Sequence, residues 1–230
     1  MHALLRLWRT TVGKKVVMAL TGAGLVGFVL GHMAGNLKLF LGRAAYNHYA
    51  EFLRHAGEPL LPAGVGLWLA RLGLLACLGL HLVAALQLYA TCRNARPVLY
   101  ERYRTDLVFS KTSLMMRLGG SLLGMFIVLH LAHLTWGWLY PAEYVPGDPY
   151  HNVVAGFQHV WLSALYIVAM VPLSLHLYHG TWSAFQTLGL AGPLVNTWRR
   201  PFAALVATLV FLGNCSLPVA VLAGVVRPAG

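Results

Sequence analysis

Leu173–Phe185 reads LSLHLYHGTWSAF, and Phe126–Trp138 reads FIVLHLAHLTWGW. Both stretches lie in long apolar runs, and both carry two histidines in an H-x-x-H spacing. An imidazole surrounded by hydrocarbon is costly unless its ring nitrogens find partners. The question is what holds four such rings there.

The rest of the sequence sets the medium. Of the 230 residues, 58% are hydrophobic and 10% charged, well below the roughly 25% charged residues of a soluble domain. The mean hydropathy is +0.66. A transmembrane helix needs about 20 mainly apolar residues. Five stretches meet that length, at about 16–40, 63–92, 114–140, 156–182 and 202–226. They are too long and continuous for barrel strands, and helices pair every backbone group internally. The basic start (Arg6, Arg9, Lys14, Lys15) resembles a secretory signal, but the apolar run that follows is too long and no small-residue cleavage site ends it. The expected fold is therefore an all-α membrane protein, one domain over 1–230, with five transmembrane helices.

Charge orients it. With a cytoplasmic N-terminus the inner side holds twelve basic residues: Arg6, Arg9, Lys14, Lys15, Arg93, Arg96, Arg102, Arg104, Lys111, Arg117, Arg199 and Arg200. The outer side holds five: Lys38, Arg43, Arg54, Arg71 and Arg227. That bias favours N-in, C-out. It also accounts for the net charge of +11, which is spread over helix ends and does not form a nucleic-acid surface. Two connecting segments stand out. Ala44–Pro59 has Tyr46, Tyr49, Phe52 and Leu53 at helical spacing and is expected to lie along the membrane surface. Arg93–Ser113 is basic and tyrosine-rich, either a solvated loop or a docking surface for a cytoplasmic subunit. Cys77, Cys92 and Cys215 are scattered, with no C-x-x-C-H for covalent haem.

Of eleven histidines, six fall within the first four apolar segments: His32, His81, His130, His133, His176 and His179. All six acids lie in loops or near helix ends, so no intramembrane carboxylate pairs with these rings. A metal does suit neutral imidazole. Zinc or copper bound by side chains alone would need several ligands clustered at one depth, whereas these come singly from separate helices. A haem needs only axial ligands from the protein. Packed helices stand about 8–10 Å apart, and the diagonal of a four-helix up-down bundle is about 1.4 times wider, which leaves room for an imidazole–iron–imidazole bridge. The diagonals join the first segment to the third and the second to the fourth. They pair His32 with His130 and His81 with His176, and would stack two haems along the membrane normal. His133 and His179 sit one turn further on the same faces. They are second-choice ligands, or hydrogen-bond partners of a propionate or a quinone. Pro172, four residues before His176, frees a carbonyl and is placed to kink the fourth helix. Bis-histidine iron has no open coordination position and carries electrons. Gly27, Gly31 and Gly35, and again Gly120 and Gly124, make small-residue stripes that serve either close helix packing or a flat ligand.

GKKVVMALTG (Gly13–Gly22), GHMAGNLKLFLG (Gly31–Gly42), YNHYAEFL (Tyr46–Leu53), MRLGGSLLGMFIVLHLAHLTWG (Met116–Gly137) and LHLYHGTWSAFQTLG (Leu175–Gly189) together resemble the five-helix b558 family. Its members are cytochrome b membrane anchors of succinate dehydrogenase and fumarate reductase. The resemblance spans nearly the whole chain. It implies four axial histidines, matching His32, His81, His130 and His176, and two non-covalent b haems. It implies a flavoprotein subunit with covalent FAD and an iron–sulfur subunit on the cytoplasmic face. It also implies a membrane quinone, most often menaquinone, and a place in the inner (cytoplasmic) membrane. Electron transport linked to the tricarboxylic acid cycle follows. Ser113, Arg117 and Trp182 are the candidate quinone contacts near the inner mouth. Two other readings compete: the cytochrome b subunit of another quinone-linked dehydrogenase or hydrogenase, and a haem-free transporter or scaffold whose histidines bond between helices.

Overall fold

The computed structural model describes Arg6 and residues 8–95, 108–190 and 192–228, with side chains for all of these except 108–114. Residues 96–107 of the basic connecting segment, and the side chain of Ser113, lie outside the described residues.

The described chain is all-helical. Five helices are long and apolar enough to cross a membrane, which makes this a multi-pass membrane protein. The seven α-helices of the described residues are, in order, α1 (Thr11–Asn36), α2 (Arg43–Arg54), α3 (Val65–Asn94), α4 (Val108–Leu134), the short α5 (Pro149–Gln158), α6 (Val160–Thr187) and α7 (Pro193–Leu222). The spans are α1 with its 3₁₀ extension to Leu41, then α3, α4, α6 and α7.

Local chemistry fixes the ends. Thr10 caps α1, its hydroxyl accepting from the Gly13 amide at 2.9 Å. Gly42, at φ 89°, turns the chain from the 3₁₀ extension into α2. α2 is amphipathic as expected and buries Tyr46, whose hydroxyl donates to Asn36 Oδ1 at 3.1 Å. Pro193 opens α7 at a position where a missing N–H costs nothing.

Several boundaries differ from the sequence expectation: the fourth span runs over Val160–Thr187 and not about 156–182, and the fifth begins at Pro193, not near 202, and ends at Leu222. The third span ends at Leu134 and not near 140. There the amides of Trp136 and Trp138 bond back to the carbonyls of Leu131 and Ala132, and Gly137 is left-handed at φ 66°, with the Tyr144 ring packed where a Cβ would stand. The following loop contains α5, which begins at an Asp-Pro pair: Asp148 Oδ1 accepts from the His151 amide at 3.1 Å and Pro149 takes the first turn. His159, in an extended conformation, separates α5 from α6.

Contacts give the helix directions. Gly22 faces His81 and Gly24 faces Cys77, so α1 and α3 are antiparallel. Gly120 faces His176 while His133 bonds Tyr166, so α4 and α6 are antiparallel. α1 packs on α3, α6 and α7; α6 packs on α4 and α7; α3 and α4 share at most a marginal contact. The main buried core lies at one end, where Leu39, Tyr46, Tyr150, Val154, Phe157, Leu162 and Leu217 meet. It is locked by polar contacts. Arg43 Nη2 donates to Asp148 Oδ2 at 2.6 Å, Asn47 Nδ2 donates to Asp148 Oδ1 at 2.7 Å, and the Tyr150 amide donates to Asn47 Oδ1 at 3.0 Å.

Candidate functional site

Between α1 and α4, His32 and His130 face each other with ring centres 5.8 Å apart and planes at 89°. Between α3 and α6, His81 and His176 face each other at 6.2 Å and 61°. Each pair spans a diagonal: α1 and α4 do not pack on each other, nor do α3 and α6, yet the rings meet. His81 contacts Met18 and Thr21 of α1, and His32 lies eleven residues beyond Thr21. At 1.5 Å per residue the two pairs are about 16 Å apart along the bundle.

The neighbours of each ring orient it. His81 Nδ1 lies 3.1 Å from the Met18 carbonyl and 3.3 Å from Thr21 Oγ1. A carbonyl only accepts, so the proton sits on Nδ1 and the Nε2 lone pair is free to bind a metal. Gly22 leaves room for that ring: a Cβ there would stand 3.2 Å from His81 Cε1. On the other diagonal, the Tyr166 hydroxyl reaches His130 Nδ1 at 3.3 Å and His133 Nδ1 at 2.9 Å. Phe28 stacks on His32 at 5.3 Å. His176 Nδ1 is buried and has no hydrogen-bond partner.

The second-choice histidines have different company. His133 is 5% exposed, pressed between Tyr166, Phe157 and Gly156. His179 packs edge-on against Trp182 at 5.1 Å. Neither faces a histidine from another helix. Of the quinone candidates, Arg117 lies over the Tyr89 ring at 4.9 Å, and Trp182 lies against Arg199 and Arg200. The two are engaged with different helices.

The residues fit a haem in three respects. An imidazole–metal bond is about 2 Å, so two imidazoles on opposite sides of one ion have ring centres about 6 Å apart. Among the described residues no three His, Cys, Asp or Glu side chains converge, so the donors come in pairs, as axial ligation requires. The glycine stripe supplies space: Gly27, Gly31 and Gly124 have nothing within 4 Å of a Cβ position, whereas Gly35 packs on Tyr49 and Gly120 lies near His176.

Sequence reasoning missed Tyr166, Thr21 and the Met18 carbonyl. Tyr166 left one signal, a lone phenol in the apolar middle of a span, where a hydroxyl needs a partner. The Met18 carbonyl left none.

Outside the spans, three groups are shifted from their ordinary titration. Burial pushes the Tyr46 hydroxyl up to about 12, with the Tyr49 charge adding to it. At Asp148 burial pulls upward, but bonds from Asn47, the His151 amide and Arg43 win and hold its carboxyl below 3.8. Glu58 and Glu51 raise exposed His55 above 6.5. No family model matches the chain, nor does any curated protein or solved structure.

Proposed function

We propose that this chain is the cytochrome b membrane anchor of a succinate:quinone oxidoreductase, with the N-terminus on the cytoplasmic side. The observation that carries the reading is the pairing of His32 with His130 and of His81 with His176 across the two diagonals. His81 and His176 would hold one haem b and His32 and His130 the other. Bound haem with two histidine ligands supplies one-electron carriage and leaves no position for oxygen.

The protein's own residues do the rest. Met18 and Thr21 fix the His81 ring, and Tyr166 fixes His130. The apolar spans and the lipid around them would keep water from both pairs, His32 being exposed on the flank of the bundle. Their spacing of about 16 Å along the axis makes two stations across the bilayer. A flavoprotein with FAD and an iron–sulfur subunit would exchange electrons at the His81/His176 end, where Lys14, Lys15, Arg199 and Arg200 lie. A membrane quinone, menaquinone by the resemblance, is the other partner. Succinate chemistry would belong to the flavoprotein.

The test is a pyridine haemochrome assay on the purified complex with a reduced-minus-oxidised spectrum. The expected result is about two b haems per chain. A chain with no b-type α band would sink the reading. A two-haem chain isolated with a subunit that lacks flavin would instead favour another quinone-linked dehydrogenase or hydrogenase.

A further inference from the structure

α6 and α7 pack side by side, and an open groove of about 450 Å³ runs between them. Val171, Leu175 and Tyr178 line it from α6, and Ala204, Ala207 and Phe211 line it from α7. The two alanines hollow the α7 wall, and Val171 and Leu175 are exposed on the lipid-facing side. Following the same faces one turn further brings α6 to Trp182 and α7 to Arg200. There, one turn beyond the residues that line the groove, stand two guanidinium groups, Arg199 and Arg200, 5.7 and 5.4 Å from the Trp182 ring centre. From Arg200 to Phe211 is eleven residues, about 16 Å of helix.

Arg199 is the anomaly at this end. Among the described residues its Nε and Nη1 are buried and have no hydrogen-bond partner, and neither has Thr181 Oγ1 beside Trp182. Arg199 is only partly buried as a whole, but guanidinium nitrogens taken out of water without a hydrogen-bond acceptor are costly. The described carboxylates, Glu51, Glu58, Glu143 and Asp148, all lie toward the other end. Trp182 is six residues beyond His176, about 240° round the helix, so the groove and the imidazole occupy different faces. Among the described residues no carboxylate reaches Arg199, and the groove offers an anion a route from the lipid side, away from the histidine pocket.

We infer that the groove holds one anionic phospholipid, with its phosphate on Arg199 and Arg200 and an acyl chain laid along Tyr178, Ala204 and Ala207 to Phe211. Guanidinium groups bind phosphate oxygens in pairs, and basic pockets between transmembrane helices suit such headgroups. The indole of Trp182 fits the same interfacial depth. This site is independent of the haem reading.

The test uses the full chain isolated in neutral detergent, stripped of lipid and titrated with phosphatidylglycerol or phosphatidylcholine. Retention is read by native mass spectrometry, and stability by thermal unfolding. One phosphatidylglycerol per chain should be retained, and phosphatidylcholine should not replace it. R199Q should weaken retention by about tenfold or more. A207L should do the same with every charge intact, by filling the groove. Without lipid, R199Q should unfold at or above the wild-type temperature, because it removes an unanswered charge; with phosphatidylglycerol the order should reverse. Equal retention of the two lipids, or undiminished phosphatidylglycerol retention in both variants, would overturn the proposal. So would a wild-type chain that phosphatidylglycerol does not stabilise while E101Q or D106N lowers its lipid-free stability, since Arg199 would then be answered from within the chain.

Discussion

At the end that carries α2 and α5, each buried polar side chain among the described residues has a partner. Asp148 gathers Arg43, Asn47 and the His151 amide, Asn152 holds both backbone groups of Val145, and Tyr166 holds His130 and His133. From the middle of α6 to the opposite end, Ser174 Oγ, His176 Nδ1, Thr181 Oγ1 and the Arg199 Nε and Nη1 are buried with no partner among the described residues. Folded chains rarely leave such groups unanswered. At one end the described polar groups answer one another; at the other, several stand without a described partner.

The strongest break of this contrast is ligand removal, one histidine at each end. His176→Ala should lose about half of the haem and leave one low-spin electron paramagnetic resonance signal in place. His130→Ala should lose the other signal. If either change removes both signals, or neither, the pairing across the diagonals is wrong.

Packing at the finished end gives the next effect. A Cβ on Gly156 would run into the His133 imidazole, so Gly156→Ala should destabilise by about 1–3 kcal/mol, read as a lower unfolding temperature in detergent. An unchanged midpoint would mean that this end is looser than its contacts imply.

Asp148→Ala removes a helix cap and the partner of Arg43 and Asn47, and should cost about 1–2 kcal/mol. The pH dependence has a definite sign. The folded carboxyl titrates below its unfolded value of 3.8, so its contribution is complete above that pH and is lost as pH falls through the folded value. In Asp148→Ala that acid-side loss should be absent from the unfolding curve.

The mildest change belongs to the open end. His179 meets only the edge of Trp182 among the rings around it, so His179→Ala should keep both haems. A loss as large as that of His176→Ala would exchange the roles of the two.

Much of this architecture was legible in the sequence, because a membrane helix announces itself by length and apolarity. The diagonal pairs followed from helix order and the absence of intramembrane acids. The end of the third span near Leu134 was less visible, since Thr135–Tyr140 carries no charge and continues in tryptophan, leucine and tyrosine. Gly137 marked the stop, but a glycine in an apolar run also reads as packing. α5 was signalled by Asp148-Pro149, a capping pair that was legible but easily absorbed into a loop. The burial of His133 against Gly156 and the sharing of the Tyr166 hydroxyl come from helices brought together in space, and no local pattern carries them. The glycine stripe stayed ambiguous for the same reason: Gly35 touches Tyr49 while Gly27 and Gly31 touch nothing.

The thin seam between α3 and α4 also bears on how the chain is made. α3 can settle on α1 as soon as it emerges, forming a hairpin from the first hundred residues. α4 has no such host waiting, because its main neighbour, α6, is synthesised after it. During translation α4 must rest in the bilayer, or against the insertion machinery, until α6 arrives, while α1 remains the post to which α3, α6 and α7 are tied in turn. Nascent chains halted before Val160 should accordingly show α1 and α3 crosslinking to each other more strongly than α4 crosslinks to either.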